Sequence, residues 1–207
     1  MKIISMVSQK GGVGKSTLSV NIATYFDKFL NKKSILIDID PQASSSSWYD
    51  LRDDETPIVI SCQPQRLNAV IHTASQSQVD LIIIDTPGKI EGSSLKASKL
   101  SDYCVIPVKS AFFDLKAAEE TLDICKLAKK DPYVVLNELP PTHSSKTETL
   151  DALNNMEAKV FHSSIGDRVV FKHSIANGLS VNEYDSQSKA AHEVSRLCHE
   201  MLKVFEI

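Results

Sequence analysis

No apolar run in this chain of 207 residues approaches the roughly 18 residues that a membrane-spanning helix needs. The four cysteines, Cys62, Cys104, Cys125 and Cys198, include no CxxC pair and no zinc-type spacing. Buried free thiols in a reducing cytosol are the expectation. The six histidines form no HExxH or comparable pattern, which argues against a metal hydrolase. Positive charge is short as well: 23 Lys and Arg against 26 Asp and Glu leave a net charge of −3. A protein that grips nucleic acid by bulk charge is more basic than this. Any such grip must come from a local patch, or from a surface completed when two copies meet. No secretory leader is expected, because Lys2 is followed at once by a short strand and a glycine loop. No internal repeat or interdomain linker divides the sequence.

What is present alternates. Strand candidates are Lys2–Val7, Ser34–Asp38, Pro57–Ser61, Leu81–Asp85, Tyr103–Val108, Tyr133–Leu136 and Lys159–His162. Several are almost continuous in Ile, Leu and Val, as strands covered on both faces are. Helical patterns fall between them: Ser16–Leu30, Pro64–Ser75, Ser93–Leu100, Leu115–Lys130, Lys146–Met156 and about Ser186–Val204. This alternation predicts an α/β protein, a single domain over 1–207 with a doubly wound, mostly parallel sheet flanked by helices. Ser44–Ser47 reads as a mobile loop, and Glu138–Ser145, with Pro140 and Pro141, as an exposed connection. Trp48 and Tyr49 are expected to pack.

Residues Lys10-Gly11-Gly12-Val13-Gly14-Lys15-Ser16-Thr17 follow a strand and open a helix, the context a P-loop requires. The glycines allow backbone N–H groups to turn inward around phosphate oxygens, and the helix adds its positive end. In that reading Lys15 meets the β- and γ-phosphates of a nucleotide such as ATP, Ser16 ligates Mg²⁺ and Thr17 donates to the α-phosphate. Gln9 stands where the strict pattern has its first glycine. Lys10, five residues before Lys15, is poorly placed for its own phosphates. It either serves a facing subunit, as an arginine finger does, or is a solvated loop lysine. The strand Ser34–Asp38 runs into Asp38-Ile39-Asp40-Pro41-Gln42, whose period-two spacing puts Asp38 and Asp40 on one side. Asp40 is assigned to orienting the attacking water and Asp38 to the Mg²⁺ shell. The apolar strand ending at Asp85 supplies a second Mg²⁺ carboxylate, and Thr86-Pro87-Gly88 after it reads as a switch loop.

KGGVGKST at 10–17, DIDPQ at 38–42 and DTPG at 85–88 resemble, in order, the motifs of the ParA/MinD family of deviant Walker A ATPases. Ile106-Pro107-Val108, Asn137 and Gly178-Leu179-Ser180-Val181 look like landmarks of its ParA branch, so the likeness covers almost the whole chain. It is closest to the small plasmid-partition ParA proteins, without an N-terminal helix-turn-helix. Gly88 departs from the second proline of many relatives, a change expected to loosen the switch. The resemblance implies an ATP-driven homodimer with Lys10 acting across it. It also implies nonspecific DNA binding by the dimer, on the nucleoid of a bacterial cytoplasm, and slow hydrolysis stimulated by a centromere-binding or adaptor partner. It further implies an adenine contact from Asn137. Arg168, Lys172, Lys189 and Arg196 are the DNA-contact candidates, each equally readable as a solvated helix face.

Three other readings stay open. A MinD-like membrane-positioning ATPase needs a basic amphipathic C-terminal helix, whereas Glu193, Glu200 and Glu206 offset Arg196 and Lys203 here. A redox protein like nitrogenase iron protein needs two cluster cysteines per subunit, and Cys104 and Cys125 look like core residues. The ParA mechanism could also move another cargo, such as a conjugation complex.

Overall fold

The computed structural model describes residues 1–88, 92–140 and 143–207. Seven strands form one sheet: β1 (Lys2–Met6), β2 (Ser34–Asp38), β3 (Ile58–Ser61), β4 (Leu81–Asp85), β5 (Tyr103–Val108), β6 (Pro132–Leu139) and β7 (Lys159–Gly166). Their order is β3-β2-β4-β1-β5-β6-β7, and every pairing is parallel, where a mostly parallel sheet was expected. The chain starts in the middle, builds to one edge and then crosses back to build the other. That reversal opens a crevice at the carboxyl ends of the central strands.

The helices are α1 (Lys15–Phe29), α2 (Ser44–Asp50), α3 (Leu67–Ser75), α4 (Ser93–Leu100), α5 (Phe112–Leu127), α6 (His143–Asn155), α7 (Val169–Ala176), α8 (Val181–Tyr184) and α9 (Lys189–Phe205). Successive strand residues alternate between two cores, as period-two geometry requires. Ile4, Met6, Leu81 and Ile83 pack with α1 and α9 on one face. Ile35, Ile37, Ile82 and Ile84 pack with α3 and α4 on the other, beside a third cluster under α5 and α6. All residues of β2 and β4 are buried, which accounts for their unbroken apolar runs.

Three elements differ from the sequence expectation. Ser44–Ser47 is helical rather than a loop, because the Asp38 carboxylate accepts from both the backbone N–H and the hydroxyl of Ser46 at 3.0 Å. A remote carboxylate thus does the work of an N-cap. The segment after β7 carries two short helices, α7 and α8, the second opened by a Ser180/Glu183 capping box. Glu138 and Leu139 belong to β6 and α6 starts at His143, which shortens the expected connection; Pro141 and Thr142 lie outside the described residues. Among the cysteines, Cys104, Cys125 and Cys198 are buried and Cys62 is half-buried, all four free.

The last helix settles the β7 edge. Glu200 accepts from the N–H groups of His162 and Ser163 at 2.8 and 2.9 Å, and Glu193 accepts from Gly166 N–H at 3.1 Å. Its apolar side, with Val194, Leu197, Met201 and Phe205, lies fully buried in the core.

Candidate functional site

The loop between β1 and α1 turns on Gly12 and Gly14, at φ 72° and 91°, a conformation that a side chain disfavours. Gly14 caps α1 with no side-chain hydrogen bond, so the first-turn N–H groups are free for an anion. A cleft of about 640 Å³ opens there, bordered by Gly11, Gly12, Gly14, Lys15, Ser16 and Thr17 of the loop and by Asp40, Pro41, Pro87 and Gly88 opposite. The switch loop is tied down by the Thr86 hydroxyl, which donates to Met6 O at 2.7 Å. At Gly88 a Cβ would lie 3.0 Å from Gly11 N, so the missing side chain lets this loop approach the P-loop closely.

The two lysines of the loop part company. Lys15 is 6% exposed and its Nζ donates to Lys10 O at 3.2 Å. Burial lowers its pKa, while Asp85 and Asp40 draw it back up. Lys10 points out of the cleft and forms an ion pair with Asp114 at 2.7 Å.

The three predicted carboxylates also separate. Asp40 is half-buried on the cleft wall, its Oδ1 accepting from Gln42 N–H at 2.9 Å. Asp38 is fully buried, with Oδ1 accepting from Asp40 N–H at 3.0 Å and Oδ2 taken by Ser46. Ile35, Ile37 and Ile39 share one core cluster, so the alternation runs past the end of β2, with Asp38 covered by α2 and Asp40 reaching the cleft. Asp85, opposite Asp38 in register, is also fully buried. Burial pushes its pKa up to about 7, against the nearby hydroxyls of Ser16 and Ser45, and the neighbouring Asp38 adds to the rise. Ser45 Oγ donates to Asp85 Oδ2 at 2.7 Å, while Oδ1 is buried with no partner. An unpartnered carboxylate oxygen beside the Ser16 hydroxyl, at an uncapped helix end, fits Mg²⁺ shared with phosphate oxygens. Among the described residues no group of three or more His, Cys, Asp and Glu could hold a metal by itself.

Asn137, 3% exposed on β6, donates to Val13 O at 2.7 Å. It borders a second cleft of about 320 Å³ with Asp167, Phe171 and Lys172, and Thr17 and Ile175 line both clefts. Arg168 also borders it, but its guanidinium is held by Glu193 at 2.9 and 2.5 Å. Lys189 and Arg196 lie exposed on α9, remote in sequence and lining neither cleft.

Several contributors escaped the sequence reading. Ser45, Ser46 and Asp114 gave no signal, since their partners are distant in the chain. Arg52 joins α2 to the turn between α7 and α8, donating to Gly178 O at 2.8 Å and to Glu183 at 2.9 and 3.1 Å. Trp48 Nε1 donates to Leu179 O at 3.3 Å. His192, His199 and Lys203 did carry a signal, for with Lys189 and Arg196 they recur at helical spacing.

A family model described as the CobQ/CobB/MinD/ParA nucleotide binding domain matches residues 4–181. Maintenance of carboxysome distribution protein A of Halothiobacillus neapolitanus is 23% identical, the match covering 96% of this chain and 95% of that protein. Sporulation initiation inhibitor protein Soj of Bacillus subtilis is 25% identical, over 97% and 98% respectively. The septum site-determining protein MinD from Pyrococcus horikoshii, solved with Mg-ADP, superposes with a TM-score of 0.81 at 19% identity, covering 99% of this chain and 97% of that one.

Proposed function

Because the chain belongs to the CobQ/CobB/MinD/ParA family, a family of ATPases, we propose that it is a ParA-type switch acting as one P-loop unit. In this reading ATP brings two copies face to face, the pair holds duplex DNA without reading sequence, and partner-stimulated hydrolysis releases it. The observation that carries the reading is the division of labour in one loop: Lys15 sits inside the cleft, and Lys10 is turned outward to Asp114.

Within the cleft the free amides of α1 receive phosphate oxygens, and the buried Lys15 ammonium stands among them. Thr17 faces the join of the two clefts, so the base lies toward Asn137 and Phe171. Ser16 and Asp85 would hold Mg²⁺, which would supply charge neutralisation to the phosphates. Asp38, already accepting from three donors, acts through the position of α2. Asp40 is the one carboxylate among the described residues lining the cleft. It orients water but is too weak a base to deprotonate it, so turnover is slow alone.

The DNA surface rests on α9. Lys189, His192, Arg196, His199 and Lys203 are all exposed and recur every three or four residues, one stripe about 21 Å long. Over that length duplex DNA carries about twelve phosphates. Glu193 and Glu200 border the same groove as the stripe, but Arg168 offsets the first and both carboxylates accept from β7 N–H groups, which leaves the cations in excess. A chain of net charge −3 therefore presents a basic face. Arg168 is spent on Glu193 and Lys172 borders the second cleft, so neither is central to it. A membrane role is disfavoured, because the apolar side of α9 is occupied by the core and no described helix is long and apolar enough to cross a membrane. A protein assembly as cargo is the second reading, favoured by the carboxysome-distribution relative.

Retention on nonspecific duplex DNA tests the proposal. Binding with Mg-ATP alone, weakened by salt and lost in a Lys189→Glu/Arg196→Glu/Lys203→Glu variant, is expected. Absence of retention in every nucleotide state would refute the DNA reading and favour the protein cargo.

A further inference from the structure

The fold brings two distant cysteines together. Cys104 lies in β5, opposite Ser5 of β1, and Cys125 lies near the end of α5. Both are fully buried in the cluster beneath that helix, and their thiols are within hydrogen-bonding reach of each other. The two sulfurs are not equivalent. The Ser5 hydroxyl donates to Cys104 Sγ at 3.4 Å, and the Ser98 hydroxyl faces both thiols. Donation from Cys125 draws the Cys104 pKa down, with help from the Ser5 and Ser98 hydroxyls and against burial. The same contact, together with burial, pushes the Cys125 pKa up. Cys104 is thus the nucleophilic sulfur, and Cys125 stands beside it as a resolving thiol.

Access to the pair follows from how α5 is held. Its buried residues are Asp114, Ala118, Thr121, Leu122 and Cys125, and Leu122 is the one large hydrophobe among them. A helix with so little buried apolar surface opens locally at low cost. Its polar ties run to the phosphate loop. Thr121 Oγ1 accepts from Gln9 N–H at 3.1 Å, and Asp114 pairs with Lys10 at 2.7 Å. Thr121 and Cys125, four residues apart, lie on one face of the helix. The loop and the thiols therefore share α5 as their cover.

We propose that Cys104 and Cys125 form a thiol–disulfide site, oxidised by a hydroperoxide when α5 opens and fastening that helix to the sheet once bridged. The Cys104 sulfur attacks one oxygen of hydrogen peroxide and the O–O bond breaks. The thiol proton leaves with the departing oxygen as water, and Cys104 becomes a sulfenic acid. The Cys125 sulfur then displaces the remaining oxygen, which takes the second thiol proton and leaves as water while the S–S bond forms. The two thiols supply the two electrons that reduce the peroxide, and a dithiol reverses the bridge. In the bridged chain Thr121 and Asp114 are held against Gln9 and Lys10, so oxidation reaches the phosphate loop from behind.

The test treats the full reduced chain with hydrogen peroxide, under conditions where Trp48 fluorescence shows it folded, and maps the products by non-reducing peptide mass spectrometry. A crosslinked Cys104–Cys125 peptide is expected, reversed by dithiothreitol and absent from Cys104→Ala and Cys125→Ala chains. Oxidation at half-buried Cys62 with no Cys104–Cys125 bridge would overturn the proposal. The bridged chain should unfold about 1 M higher in urea, and an unchanged or lower midpoint overturns the fastening of α5. A non-hydrolysable ATP analogue at ten times its Kd should slow bridging about ten-fold, because it stabilises the closed loop. This arm rests on the nucleotide reading of the cleft. Binding of a fluorescent ATP analogue without slowed bridging overturns only the tie between loop and thiols, whereas absence of that binding overturns the nucleotide reading itself.

Discussion

Replacing Arg52 with alanine probes the join between α2 and the turn after α7. The Arg52 side chain is 1% exposed, and its guanidinium lies 4.5 Å over the Trp48 ring. It donates to Gly178 O, to Thr56 O at 2.6 Å and to both oxygens of Glu183. Burial alone would raise the Glu183 pKa, but hydrogen bonds from Arg52, Lys28 and Ser180 bring it down from 4.5 to about 2. That difference corresponds to about 3.4 kcal/mol. Lys28 and Ser180 share that stabilisation with Arg52, and solvent screens the 26%-exposed Lys28 part, so the share lost with Arg52 is about 2 kcal/mol. Two carbonyls losing their donor add about 1 kcal/mol. Arg52→Ala should therefore cost about 3 kcal/mol, or about 1.5 M in urea midpoint for a slope of about 2 kcal/mol/M. Trp48, the single tryptophan, reports unfolding by fluorescence. Because the folded pKa of Glu183 is depressed, its contribution is full above about pH 4.5 and fades as pH falls toward 2. The gap between Arg52→Ala and the unmodified chain should narrow in that window. A midpoint shift below about 0.3 M near neutrality, or a gap that acid leaves unchanged, would refute the reasoning.

Gly14→Ala should destabilise the fold by about 2–3 kcal/mol. The new Cβ would lie 2.2 Å from Asn137 Nδ2 at a φ of 91°. Thermal melts of Gly14→Ala and Gly14→Ala/Asn137→Ala should show the second change recovering only part of the loss, since the backbone strain persists; full recovery would mean the clash alone mattered. Asp40→Ala should keep ATP binding and lower single-turnover hydrolysis about 100-fold, and turnover near the unmodified rate would remove Asp40 from water positioning.

The fold was readable because parallel strands buried on both faces leave continuous apolar runs, as at Leu81–Ile84. The phosphate loop was readable because its chemistry is local: glycines, a lysine and a hydroxyl within eight residues. The serine helix α2 was not, since four serines have no helical signal of their own and the cap comes from Asp38 on another element. Period-two reasoning grouped Asp38 with Asp40 but could not show that α2 covers the first while the second reaches the cleft. The pairings of Lys10 with Asp114 and Arg168 with Glu193 join distant positions, so the sequence could name these cations but not show which were already engaged.

The carboxylates that α9 lends to β7 bear on crowding. An edge strand with free N–H groups can recruit a strand from a neighbouring molecule and seed aggregation. Here the N–H groups of His162, Ser163 and Gly166 are already occupied by Glu200 and Glu193, and the opposite edge, β3, is four residues long and preceded by Pro57. Many copies gathered at high local density would thus lack a ready strand to extend one sheet into the next, and would meet through side chains, in contacts that can come apart.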